Sequence, residues 1–288
     1  MIRTKNALER DEMIRVMRSA YMEIFPTSTI EGRLDTLEPD AYIAVTCSPS
    51  KGVDDTLETS TRLAHRGFKV VPHIAAKMVS DKSHLREIVA QLNELPIDSI
   101  FVPGGDADYP AGQYQTAFEL LRDLADLDHR FTQIGVASHP EGHPEVDDEI
   151  LMRELEKKQD YAHYLVTQMC FDPLALDQWL AAIRHRGITL PVWLGIPGVS
   201  ERTALLKTSL RIGVGDSLRF LRRKSDAAKQ LMKTSIYTPD ELMSGLSSLI
   251  ANPVNDIAGC HVFCFNQVEK TEQWRNEAIA GLMTLETA

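Results

Sequence analysis

The stretch Ser99-Ile100-Phe101-Val102-Pro103-Gly104-Gly105-Asp106 decides how this chain is read. Its apolar residues follow one another without the polar alternation of a half-exposed strand. Such a run fits a strand covered on both faces, which is the habit of a parallel sheet. The two glycines let the backbone turn sharply and let a ligand come close. Asp106 stands where the chain leaves the strand. Taken alone, it serves equally well as a turn or helix-capping aspartate.

The same grammar recurs on both sides of this stretch. Short β-rich runs cover Tyr21 to Phe25, Ala41 to Cys47, Lys69 to Ala75, Ser99 to Gly104, Gln133 to Ser138, Tyr164 to Cys170, Pro191 to Ile196 and His261 to Phe265. Amphipathic segments lie between them: Asp54 to His65, Asp81 to Leu95, Gln115 to Leu127, Asp147 to Gln159 and Leu174 to Arg186. In the second, His84, Leu85, Ile88, Val89 and Leu92 form one stripe. The first ends at Gly67 and the last at Gly187, as helices closed by a glycine do. The longest gap, Ser200 to Ile250, has room for two or three helices. Eight β-units alternating with helices in 288 residues predict an α/β fold, a single (β/α)₈ TIM barrel. A doubly wound open sheet is the alternative. No linker or repeat divides the chain, so 1–288 is read as one domain with 1–18 as an N-terminal helical extension.

Composition narrows the function. The net charge is −10, which argues against a nucleic-acid partner. No apolar run approaches the roughly 20 residues a membrane helix needs. Cys47, Cys170, Cys260 and Cys264 form no Cys-x-x-Cys pair and sit in apolar runs, as reduced core cysteines do. With no signal-peptide core in the charged N-terminus, the expected location is cytoplasmic. No feature calls for an obligate protein partner.

In a barrel the active site lies at the C-terminal ends of the strands. The polar residues there are Glu23, Thr46, His73, Asp106, His139 with His143, Gln168 and Asn266. Polar groups inside apolar runs are costly to bury unless used or paired. Glu23, flanked by Met22, Ile24 and Phe25, is either a desolvated general acid or an ion-paired strand glutamate. The segment His139-Pro-Glu-Gly-His-Pro-Glu145 has His-x-x-x-His spacing, but its prolines forbid the helix that a metal pair would use. It reads as a rigid active-site loop, and no metal site is assigned. Gln168 offers a donor and an acceptor for a heterocycle edge, or an amide satisfied by backbone. Gly213-Val214-Gly215 does not continue into a dinucleotide fingerprint.

These motifs, in this order, resemble the methylenetetrahydrofolate reductase family. Glu23-Ile24-Phe25-Pro26 is similar to its strand-one Glu-Phe-Phe-Pro, Val45-Thr46 to its Val-Thr, Pro72-His73 to its Pro-His and Gly105-Asp106 to its Gly-Asp. His139 to Glu145 resembles its Tyr-Pro-Glu-x-His-Pro-Glu. Thr167-Gln168 with Phe171-Asp172 resembles its Thr-Gln-Phe-Phe-Phe-Asp, Gly195-Ile196 its Pro-Gly-Ile, and His261 to Asn266 its closing strand. The resemblance implies a folate substrate, with 5,10-methylenetetrahydrofolate reduced to 5-methyltetrahydrofolate by NADH or NADPH. It gives Glu23 the role of catalytic acid, Asp106 and Gln168 contacts to the pterin, and Thr46, His73, His139, His143 and Lys158 contacts to the cofactor.

The family normally holds FAD, and this chain departs from its pattern at flavin-contacting positions. His139 stands for a tyrosine, Gly104 for an arginine, and Ile150-Leu151-Met152 runs where the family has an aspartate. Arg211 to Phe220 lacks the family's Gln and Phe in an alignable form. Tight FAD binding is therefore not expected, and direct hydride transfer without flavin is. The alternatives are a reductase of the same fold using another pterin or hydride carrier, and a non-catalytic folate-binding module.

Overall fold

The computed structural model describes residues 1–211 and 235–284. Helix α1 spans Ala7–Arg18 and leads into strand β1, Tyr21–Ile24. Then follow β2 (Tyr42–Val45), α2 (Gly52–His65), β3 (Lys69–Pro72), α3 (Lys82–Asn93), β4 (Ser99–Val102), α4 (Ala117–Ala125) and β5 (Gln133–Ser138). The second half runs α5 (Asp148–Lys158), β6 (Tyr164–Thr167), α6 (Pro173–His185), β7 (Val192–Pro197), α7 (Arg202–Arg211), α8 (Asp240–Ile250), β8 (Ile257–Phe263) and α9 (Val268–Thr284). Of the expected 200–250 helical stretch, α7 and α8 are described. Residues 212–234, which hold Gly213-Val214-Gly215 and most of the stretch Arg211 to Phe220, lie outside the described residues.

Local chemistry fixes several helix starts. Asp81 caps α3 by accepting from the amides of Ser83 and His84, and Thr116 with Glu119 forms a reciprocal capping box on α4. Asp172 caps α6, with Pro173 in the first turn where it loses no hydrogen bond.

The eight parallel strands run in the order β3-β2-β1-β8-β7-β6-β5-β4. The outer members meet: His73 bridges Phe101 in parallel, and the amides of Ile74, Ala76 and Lys77 donate to the carbonyls of Phe101, Pro103 and Gly104 at 2.8, 3.0 and 3.0 Å. The sheet is thus a (β/α)₈ barrel, not an open sheet. Strand β8 begins four residues before the expected His261, at Ile257. The N-terminal helical segment packs into the fold. Ile2, Met13, Val16 and Met17 are buried in the main core, and Glu9 accepts hydrogen bonds from Ser247 and Ser248 of α8.

Alternation along each strand divides two cores. Met22, Ile24, Ile43, Val45, Ile100, Val102 and Leu165 face the helices. Tyr21, Ala44, Val71, Phe101, Tyr164 and Val166 fill the interior with Tyr42 and Trp193. Tyr21 stacks on Trp193 with ring centroids 4.0 Å apart. The rings fit because two inward positions carry no side chain. A Cβ on Gly135 would lie 2.3 Å from the Tyr164 ring, and one on Gly259 2.3 Å from the Trp193 ring.

Candidate active site

Glu23 shares the parity of Tyr21, so it points into the barrel at the C-terminal end of β1. Its sequence neighbours Met22 and Ile24 face the opposite way. The surroundings that matter come instead from β8, whose register sets Tyr21 beside His261 and Glu23 beside Phe263. His261 Nε2 lies 2.9 Å from Glu23 Oε2. His261 is 2% exposed and the Glu23 side chain 11%. Glu23 is thus hydrogen-bonded to a histidine within the barrel.

The residues just after β8 hold the Glu23 segment by its backbone as well. Cys264 Sγ donates to the Glu23 carbonyl at 2.7 Å. The Asn266 amide clasps Phe25, accepting from its N–H at 2.8 Å and donating to its carbonyl at 3.3 Å. Asn266 is therefore a structural clasp. Its left-handed backbone, φ 59°, is a conformation asparagine tolerates better than most residues.

His73, at the end of β3, joins this pair. Its ring lies 5.9 Å from that of His261 and 4.6 Å from that of Phe101. Burial, reinforced by His261, holds it well below the usual histidine range, so it is neutral at physiological pH. Its Nε2 is buried without a partner, as is the Thr46 hydroxyl. Glu23, His73 and His261 each offer one ligand atom within 4.8 Å of the others, a set that could hold a cation. A metal-binding imidazole normally gives its second ring nitrogen to an acceptor, and His261 Nδ1 has none.

Asp106 lies exposed on the rim at the same end. Its loop is tied to the segment after β3, for Ala111 N–H donates to the Lys77 carbonyl at 2.8 Å and Lys77 Nζ to the Ala107 carbonyl at 3.2 Å. Gly105 makes the turn with φ 96°, a region closed to most side chains. Gly104 is different, for a Cβ there meets nothing within 4 Å. Gln168 follows β6. Its Oε1 accepts from the Met169 N–H at 2.8 Å, and its amide nitrogen has no protein partner among the described residues.

The five expected cofactor residues fall into two groups. Thr46 and His73 sit at the barrel mouth. His139 and Lys158 line a cavity of about 320 Å³ between the β5–α5 loop, α5 and α6, together with Glu141, Asp148, Glu154 and Trp179 among others, and His143 lies beside His139 in the same loop. The proline-bounded loop turns at His139 to Gly142 and is pinned by a His143–Val146 bridge. The rings of His139 and His143 meet edge to face at 5.3 Å. Burial, with Lys158 and His143 nearby, pushes His139 down to about 3. Lys158 donates to the Ala137 carbonyl at 2.9 Å, and burial pushes its amine down to about 8 against the pull of Glu154.

This cavity is a poor host for the diphosphate of FAD. Three carboxylates line it against one amine, and His139 is neutral at physiological pH. The N-terminus of α5, a natural phosphate seat, is capped by Asp147 and begins with Asp148 and Glu149. Within this cavity, the described residues do not offer a fitting seat for that diphosphate.

Sequence reasoning missed His261. The available signal was its place in the apolar run Ile257-Ala-Gly-Cys-His-Val-Phe263, with the polar group in the middle of a buried strand.

A closed barrel with a carboxylate and two buried imidazoles converging at its C-terminal mouth defines the class: a (β/α)₈ barrel whose polar groups gather where such folds place their sites. The chain belongs to the methylenetetrahydrofolate reductase family, whose profile matches residues 27–256. Glu23 and His261 lie outside the matched span. Methylenetetrahydrofolate reductase 1 of Schizosaccharomyces pombe is 29% identical over 116 residues, 39% of this chain and 19% of that protein. Methylenetetrahydrofolate reductase 2 of Saccharomyces cerevisiae is 28% identical over 100 residues, 33% of this chain and 17% of that protein. The matched stretches thus span under a fifth of these relatives. Chitinases from Rhizomucor miehei and Bacteroides thetaiotaomicron superpose with a TM-score of 0.50 at 12% identity, covering 92% and 85% of this chain and 99% and 89% of theirs. That likeness is one of fold alone. No described helix is long and apolar enough to cross a membrane.

Proposed function

We propose that this protein reduces 5,10-methylenetetrahydrofolate to 5-methyltetrahydrofolate, with Glu23 as the acid and the hydride taken directly from NADH or NADPH. The observation that carries this reading is Glu23 itself. It is a carboxyl group inside a barrel mouth, with one oxygen paired to His261 and the other, Oε1, without a protein partner among the described residues.

The chemistry balances around that oxygen. The Glu23 O–H bond breaks as an N10–H bond forms. The electron pair of the bond between the methylene carbon and N10 leaves with N10, and the N5 lone pair makes the iminium. A hydride from the reduced nicotinamide, delivered with its electron pair, completes the methyl group; the nicotinamide is oxidised and the folate carbon reduced. A carboxyl group held at the barrel mouth is the kind of group that general-acid catalysis of this first step uses. Asp106 and the unpartnered amide nitrogen of Gln168 are assigned to the pterin edge, and His73, with its Nε2 buried and unpartnered, lies at the same mouth. Positioning donor and acceptor within ~3–3.5 Å is the main demand of the hydride step.

The proposal omits flavin because the acidic lining of the β5–α5 cavity does not suit its diphosphate. A cytoplasmic location, and the absence of an obligate protein partner, belong to the same reading. Protein purified gently from its host is expected to be colourless; stoichiometric yellow flavin would contradict direct transfer. A folate-binding module without chemistry would have no use for an acid at the mouth, and the Glu23–His261 pair favours catalysis over it.

A further inference from the structure

The Glu23–His261 pair holds more information than its distance. His261 Nε2 approaches Glu23 Oε2 at 2.9 Å, and His261 Nδ1 is buried with no hydrogen-bond partner. A histidine ring has three protonation patterns, and the surroundings of the two nitrogens select among them. An Nδ1–H, in the other neutral tautomer or in the imidazolium, would leave a buried donor with no acceptor. Orphaned buried donors are rarer than under-used acceptors. The tautomer with the proton on Nε2 has no such cost: Nε2–H donates to Oε2, and Nδ1 keeps only a lone pair.

That choice has a consequence for Glu23. If Nε2 is the donor, Oε2 is the acceptor and carries no proton. The acid proton of a neutral Glu23 then resides on Oε1, the oxygen without a protein partner. We propose that His261 is a positioning residue that, as its Nε2–H tautomer, keeps the transferable proton of Glu23 on Oε1 and so aims it at the substrate. The proposal rests on Glu23 being the acid. It also assigns His261 no part in carrying protons from solvent, because a relay would need an entrance at Nδ1, which is sealed.

The surroundings hold the imidazole still. Phe263 meets it at 5.2 Å, Phe101 at 6.1 Å and Tyr21 at 6.5 Å between ring centroids. His73 is the nearest other titratable ring, at 5.9 Å. The Cys264 and Asn266 contacts fix the backbone at the Glu23 carbonyl and at Phe25, two residues on. With ring and strand both fixed, rotating the Glu23 carboxyl would break the Nε2–Oε2 bond.

The test uses the full chain labelled with ¹⁵N-histidine, with the His261 resonances identified by their loss in His261→Gln. Long-range ¹H–¹⁵N correlation is expected to show a neutral ring protonated at Nε2. His261→Leu is expected to lower kcat by about tenfold to a hundredfold, the scale of a misaimed catalytic group, with KM for the folate changed little. His261→Gln, whose amide can donate to Oε2, is expected to recover most of that loss, which a merely structural defect would not predict. A ring protonated at Nδ1, or an imidazolium, would overturn the proposal, as would an unchanged kcat in His261→Leu alongside an inactive Glu23→Gln. Full activity of Glu23→Gln would instead remove the acid assignment on which the proposal stands.

Discussion

At the residue scale, function concentrates in groups that break the rules of a buried strand. Glu23→Gln keeps the shape and the bond to His261 but has no proton to give. Turnover is expected to fall by ~10² or more while folate affinity, measured by direct titration, stays near that of the parent. His139 and Lys158 make a second case, read through stability. His139 is pushed from 6.5 down to about 3, so the unfolded chain binds its proton first as pH falls. Stability from this group is complete above about 6.5 and is lost progressively toward about 3. Lys158, lowered from 10.5 to about 8, works in the opposite range. Below about 8 it is a buried charge that costs stability, and the cost is recovered as pH rises from about 8 to 10.5. In denaturant melts, Lys158→Met is therefore expected to stabilise the protein at pH 7, with the gain shrinking by pH 10. A gain independent of pH would show that packing, not charge, is responsible.

At the element scale, the barrel is sealed on the β1–β8 side by contacts that β8 makes with β1. Asn266→Ala removes two hydrogen bonds to the Phe25 backbone and leaves alanine at φ 59°. A loss of about 1–2 kcal/mol is expected in urea unfolding, with kcat falling too because Glu23 sits two residues before Phe25. A loss of stability with unchanged kcat would separate the clasp from the acid. This same side shows where the sequence stops being legible. Strands β1 to β7 begin within a residue of their expected starts, because continuous apolar runs and glycine-closed helices mark them. Strand β8 was displaced because Gly259 interrupts its apolar run. That glycine belongs there only because the Trp193 ring occupies the space, a fact held in another strand. His261 was legible as a polar break in that run, but its role as the partner of Glu23 was hidden for the same reason. Its meaning depends on β1 being its neighbour, and adjacency appears only once the barrel closes. The individual site residues were visible as polar breaks, but their division into a barrel mouth and a β5–α5 cavity is a matter of distance that spacing cannot supply.

At the scale of the whole molecule, closure and site are one problem. Interior aromatic rings fill the barrel below the Glu23 layer, and glycines make room for them. Gly135→Ala and Gly259→Ala would each drive a methyl into a ring, and a destabilisation of about 1–3 kcal/mol is expected from calorimetry or denaturant melts. Neutral behaviour in both would mean that the interior is packed more loosely than its geometry indicates. The acidic lining of the β5–α5 cavity belongs to this scale too, for three carboxylates there face a single amine.

The central claim, an acid-assisted hydride transfer without flavin, is tested most directly by one assay. Protein stripped of any flavin is mixed with 5,10-methylenetetrahydrofolate and NADH, and NADH absorbance is followed with and without added FAD. Steady folate-dependent loss of NADH that FAD does not accelerate is the expected result, with 5-methyltetrahydrofolate formed in equal amount. No loss until FAD is supplied would contradict direct transfer and restore the flavin relay.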